Sequence, residues 1–159
     1  MTLEEKIAMA NQVRSRDRFG PVSPEELAAL PGTETELWIE TANGCEIHVF
    51  EERPDTLPPK AALLLNFHGG GFIKGRTDRD RRYCCTLMER LNCLVWDVDY
   101  CLAPEKAFPA AVHESCGIEA GVCVTAQRIP EAMHGFTTNR MPGWERALDA
   151  HCKFFREHL

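Results

Sequence analysis

The chain has 159 residues, 44% hydrophobic and 26% charged, the balance of a soluble globular domain. A chain of this length buries roughly 68–70% of the surface its unfolded form exposes, enough for one core. The formal net charge of −6 and the lack of any lysine or arginine run exclude nucleic acid as the expected partner. The longest apolar run, at 61–65, is far too short to span a membrane.

At the N-terminus, Thr2-Leu3-Glu4-Glu5 has the form of a helix cap with a glutamate three residues on. Leu3, Ile7, Ala10 and Val13 then recur at helical spacing, so a helix is expected over about 3–16. Its start is acidic and carries no apolar h-region, so no secretory signal is expected. Ser23-Pro24-Glu25-Glu26 repeats the cap signal with proline at the first helical position, for a short helix over 23–30. Residues 35–41 and 45–52 alternate and are rich in β-formers, and Asn43-Gly44 between them is a hairpin signal. The apolar run 61–67, bounded by turn signals, reads as a strand buried on both faces.

That strand leads into His68-Gly69-Gly70-Gly71. Glycine loses more backbone freedom on folding than any other residue, so three in a row imply a need for bare backbone amides. One use of such amides is an oxyanion hole, which stabilises the negative oxygen formed when a nucleophile attacks an ester carbonyl. A phosphate-cradling loop or a tight turn are the alternatives. The string lacks both a Gly-Lys-Ser/Thr ending and GxGxxG spacing, which counts against phosphate.

Residues 78–91, "DRDRRYCCTLMERL", read as a helix with Tyr83, Leu87 and Leu91 on one face. Residues 93–100 read as a second buried strand. Strand, glycine loop, helix and strand make one βαβ unit, which implies parallel strands and a right-handed crossover. A stretch rich in proline, glycine and alanine follows, then an alternating strand over 122–129. A final helix runs over 144–159 with Trp144, Leu148, Cys152 and Phe155 on its buried stripe. His134 lies between that strand and that helix. A histidine so placed suits a general base near neutral pH, or is an ordinary loop histidine.

The eight cysteines, at 45, 84, 85, 93, 101, 116, 123 and 152, include no CxxC pair. Reduced thiols used as small hydrophobes in a cytoplasmic protein are expected, with no metal site and no cofactor.

The segments "HGGGF", "DYCLAPEKAFPAA" and "EAGVCVTAQRIPEAMHGF" resemble, in order, three signatures of the hormone-sensitive-lipase-like α/β-hydrolases, the bacterial family IV carboxylesterases. The resemblance covers nearly the whole chain in two blocks, about 1–116 and 119–159. It implies an α/β fold: a truncated α/β-hydrolase with a mixed, mostly parallel sheet of about five strands flanked by helices. It implies one domain over 1–159, in which 1–32 are cap-like helices. It assigns the oxyanion hole to Gly69, Gly70 and Gly71 and the base of a catalytic triad to His134. The implied ligand is a small acyl ester.

Two departures stand out. Cys101 occupies a place where the family has arginine, so local packing or hydrogen bonding is expected to differ there. More seriously, the family's nucleophile elbow and its triad acid belong between the segments that here end at Glu114 and resume at Glu119. An internal deletion near 117–118 is the expectation. The chain contains three serines, Ser15, Ser23 and Ser115. Ser115 is the candidate nucleophile by a partial GxSxG match, although an elbow needs a strand before it and a helix after it. Its neighbour Cys116 is a second nucleophilic atom, or a buried thiol. Asp97 and Asp99 lie where the family does not draw its acid. The expected outcome is an esterase by descent with little or no activity, or a non-catalytic remnant that binds an acyl ligand or a partner. Loss of a strand beside 61–67 would leave an apolar sheet edge, to be filled by strand 122–129 in a five-stranded sheet or covered by a second copy of the chain.

Overall fold

The computed structural model describes residues 1–40, 46–116 and 137–158. Helix α1, Leu3–Arg14, starts as its sequence implies: the Thr2 hydroxyl accepts from the Glu5 amide at 3.2 Å, and Glu5 Oε2 accepts from the Thr2 amide at 2.8 Å. Helix α2, Pro24–Ala28, is capped by Ser23, whose hydroxyl accepts from the Glu26 amide at 3.1 Å.

Strands β1 (Thr33–Glu40) and β2 (Glu46–Arg53) pair antiparallel from Thr33↔Arg53 to Glu40↔Glu46. The Asn43-Gly44 turn expected between them lies outside the described residues. Strand β3 (Leu63–Phe67), helix α3 (Asp78–Leu91) and strand β4 (Leu94–Val98) form the expected βαβ unit, with β3 and β4 parallel. Strand β2 docks antiparallel on the far side of β4, so the sheet order is β1-β2-β4-β3. Four strands are therefore described, and two of their three pairings are antiparallel. The expected mostly parallel character would have to come from strand 122–129, which lies outside the described residues. Among the described residues β3 is a sheet edge, and its Leu63 and Phe67 are 43% and 42% exposed.

Apolar side chains cover both faces of the sheet. On one face Leu64 and Val95 pack with Cys84, Leu87 and Met88 of α3 and with Leu148 and Cys152 of helix α5, Trp144–His158. On the other, Ile47, Val49, Val98 and Tyr100 form a smaller cluster closed by Leu102 and by Ala111 of helix α4, Ala110–Cys116. The cysteine expectation holds for Cys84, Cys85, Cys93 and Cys152, which are buried free thiols. Burial pushes the Cys85 thiol up to about 12 and that of Cys93 up to about 11, so both stay protonated.

The α3 face of the sheet also holds charge. The register puts Asn66 beside Asp97 and Asp97 beside Phe50, and puts Val95 beside Glu52. Asp97 and Glu52 are fully buried there. Arg76, from the loop before α3, reaches Asp97 Oδ2 with its Nε at 2.5 Å and lies 3.4 Å from Glu52 Oε1. It also donates to Glu34 and sits 4.0 Å over the Phe50 ring. Asn66 Nδ2 donates to Asp97 Oδ1 at 2.6 Å.

Candidate functional site

The glycine loop leaves the C-terminal end of β3, where open α/β sheets bind their ligands. Gly70 and Gly71 have φ of +140° and +62°, and Phe72 follows at +59°. The turn closes where the Gly70 carbonyl accepts from the Ile73 and Lys74 amides, at 3.2 and 3.1 Å. Among the described residues the amides of Gly69, Gly70 and Gly71 meet no acceptor, so these strong donors stay available to a ligand. A non-glycine residue in the left-handed region costs about 1–3 kcal/mol, and such strain concentrates at functional sites.

Glycine is required at one of the three positions on steric grounds. A Cβ on Gly70 would stand 2.3 Å from the Lys74 carbonyl oxygen, whereas one on Gly69 or Gly71 would meet nothing within 4 Å. Gly70→Ala is therefore expected to cost at least about 1–3 kcal/mol, and Gly69→Ala well under that. Urea unfolding of the two variants side by side checks the difference.

His68 anchors the loop to the sheet. Its side chain is wholly buried and stacks on Tyr100, with centroids 4.3 Å apart and planes 9° from parallel. Nδ1 lies 2.8 Å from the Gly69 carbonyl, which can only accept, so Nδ1 carries the proton. The Tyr100 hydroxyl donates to the His68 carbonyl at 2.6 Å. Nε2 is 3.4 Å from Asp99 Oδ1, an ion-pair contact whose angle falls short of a hydrogen bond. The other oxygen of Asp99 lies 3.2 Å from His48 Nδ1, and His48 Nε2 lies 2.7 Å from Glu36 Oε1. Trp38 stacks on His48 at 4.3 Å.

Burial opposes a charge on His68, but Asp99 and the Gly69 carbonyl outweigh it and raise its pKa above the ordinary 6.5. The same contact with His68 lowers the pKa of Asp99, against its partial burial. A raised histidine pKa contributes stability below 6.5 that is lost as pH rises through the folded value. In Asp99→Asn the burial of His68 goes unopposed by that carboxylate. Its ring is expected to titrate above 6.5 in the parent and to shift downward in the variant. The variant should also lose less stability than the parent as pH rises across that range. Histidine-detected NMR titration and urea unfolding at matched pH values check both.

The N-terminal helices are bolted to the loop. Arg14 Nε donates to the Ile73 carbonyl at 2.8 Å, and its Nη2 to the Ala103 carbonyl at 3.0 Å. The same guanidinium grips Glu105 at 2.6 and 2.8 Å. Lys74 donates to the Arg16 carbonyl, Arg79 pairs with Asp17 at 3.0 Å, and Arg82 with Glu26 at 3.0 Å. Between α1 and the loop opens a cleft of about 450 Å³, walled by Val13, Phe19 and Ile73 and floored by Gly69, Gly70 and Gly71.

Of the other expected site residues, the structure describes only the backbone of Ser115. Ser115 falls in the last turn of α4, with helical backbone over Ala110–Cys116. His134 lies outside the described residues. Asp97 is taken up by Arg76 and Asn66. At Cys101, where the resembled family has arginine, the amide donates to Glu114 Oε2 at 2.8 Å. The pairing of Asp99 with His68 and the Arg14 clamp were missed by sequence reasoning. Among the described residues no cluster of three or more metal-ligating side chains occurs, and no helix is long and apolar enough to cross a membrane.

Residues 64–118 match a family model described as the alpha/beta hydrolase fold. The chain is 31% identical over 106 residues to an AB hydrolase superfamily protein of Schizosaccharomyces pombe, a match covering 65% of this chain and 29% of that protein. It is 36% identical over 62 residues to Homo sapiens hormone-sensitive lipase, covering 39% of this chain and 6% of the lipase. An esterase of Pyrobaculum calidifontis has a similar structure, with a TM-score of 0.50 and 26% identity, covering 72% of this chain and 34% of the esterase. The matches thus span only about a third or less of each of these proteins. The matched segment contains the glycine loop, the βαβ unit and the "DYCLAPE" stretch, so over these residues the chain has the alpha/beta hydrolase fold and is similar to hormone-sensitive lipase and to a solved esterase.

Proposed function

We propose that this chain is a carboxylesterase-type scaffold that binds the carbonyl of a small acyl ester at Gly69, Gly70 and Gly71 but turns it over negligibly. The observation that carries the reading is the set of acceptor-free glycine amides facing a cleft at the end of β3. Negligible turnover follows from the sequence between Glu114 and Glu119, which has no room for an elbow or a triad acid. On this reading an internal deletion near 117–118 removed them, and His134 is a base without a nucleophile. The hole is itself one donor short, because one of its amides normally belongs to the residue after the nucleophile. The buried free thiols suit a reducing compartment such as the cytoplasm.

Hydrolysis of p-nitrophenyl butyrate tests the reading, and the rate is expected to fall to background as the protein is purified. Turnover that persists through purification and is lost in Ser115→Ala would overturn it. The same amides favour a second reading, a protein that holds an acyl ligand without chemistry. It requires ligand binding that His134→Ala leaves unchanged.

A further inference from the structure

The cleft over the glycine loop has a charge opposite to that of the whole chain. Four cations line it, Arg16, Arg18, Lys74 and Arg79, against two carboxylates, Asp17 and Asp80. The chain as a whole carries −6. Both carboxylates are occupied. Asp17 pairs with Arg79 at 3.0 Å. Asp80 accepts from the Thr77 amide and hydroxyl at 2.9 and 2.7 Å. Lys74 is held by the Arg16 carbonyl. That leaves Arg16 and Arg18, both exposed, with no carboxylate partner among the described residues.

The cleft thus offers three kinds of contact within one space. Val13, Phe19 and Ile73 supply an apolar wall, the glycine loop supplies bare amides, and Arg16 and Arg18 add two guanidinium groups that no carboxylate holds among the described residues. An apolar acyl chain alone would leave those cations without a role. A guanidinium matches a carboxylate or phosphate better than any other ligand group, because its planar fork donates two parallel hydrogen bonds. We propose that the cleft takes an acyl ester that carries a second, anionic group, a carboxylate or phosphate, and that Arg16 and Arg18 hold that group while the glycine amides hold the ester carbonyl. This rests on the proposed acyl-binding role of the loop and adds the charge of its ligand.

The test is a titration followed by the ¹⁵N–¹H signals of Gly69, Gly70 and Gly71. Monomethyl adipate, methyl hexanoate and inorganic phosphate are the probes. At low salt monomethyl adipate is expected to bind about fivefold more tightly than methyl hexanoate, the scale of two exposed ion pairs. That preference should vanish at about 0.5 M salt, where exposed charges are screened, and in the doubly substituted Arg16→Gln/Arg18→Gln protein. Equal or tighter binding of methyl hexanoate would overturn the charge preference while leaving the acyl-binding reading intact. If neither ester moves the glycine signals, both fail. If phosphate moves them as strongly as monomethyl adipate, the site recognises a bare anion, and an ester with an anionic tail is ruled out as its defining ligand.

Discussion

Arg76→Ala is expected to lower the unfolding free energy by about 3–5 kcal/mol, the cost of stranding buried charge by removing one partner. A domain of this size has only about 5–15 kcal/mol in total, so the variant would be close to unfolding. The reason lies in what Arg76 faces. Asp97 and Glu52 are fully buried on the α3 side of the sheet, and Glu34 and Arg81 close the group. Burial, then the neighbouring Glu34, pushes Glu52 up to about 8. Burial also raises Asp97, and Arg76 and Asn66 act against that rise. Without Arg76, Asp97 keeps, among the described residues, the Asn66 amide as its hydrogen-bond donor. Replacing both charges by apolar groups, as in Arg76→Met with Asp97→Leu, is expected to cost less than either single change. Urea unfolding of the three variants gives the comparison, and additive losses in the double variant would contradict the network.

The proposed lack of turnover is the larger effect in rate. In serine hydrolases, losing the nucleophile or the base removes about 10⁶ in kcat. What the oxyanion hole and binding contacts retain is roughly 10³–10⁴ over water. That remainder assumes a complete hole, and here one donor is absent on the proposed reading. The rate expected from this chain is therefore at or below that floor, and substitutions at Ser115 or His134 should leave it unchanged. A fall of 10-fold or more in either variant, about 1.4 kcal/mol of transition-state stabilisation, would show that these residues act together after all.

How far the sequence speaks for the fold depends on whether a signal is local. Helix α3 has the bounds expected from its pattern, Asp78–Leu91, because its caps and its apolar stripe lie within the segment. Strands β1 and β2 differ from expectation only by one or two residues at their ends, since alternation marks the middle of a strand better than its limits. Helix α4 was read as part of a connection rich in proline and glycine. Pro109 in fact serves it as an entry, its carbonyl accepting from the His113 amide at 3.0 Å.

The glycine loop after β3 was legible as a turn with bare amides, but its anchoring was not. Asp99 meets His68 because the parallel register places Phe67 beside Val98, and the next residues along each strand then fall side by side. The buried charge network follows from the same register, through Asn66 beside Asp97. Register depends on the whole sheet, so neither pairing could be read from motifs alone. The family resemblance likewise identified the loop's ancestry and not the electrostatics of the cleft above it. That cleft takes Arg16 and Arg18 from the segment after α1 and joins them to the loop only in three dimensions.

On the proposed reading, a glycine loop that binds an ester carbonyl serves no nucleophile within this chain. A fluorophosphonate probe tests it most directly, because it bonds only to a serine activated by its surroundings. Incubation followed by intact-mass measurement and peptide mapping is expected to show an unmodified chain at all three serines, Ser15, Ser23 and Ser115. A single stoichiometric adduct on Ser115, lost in His134→Ala, would contradict the account and restore this chain as a working esterase.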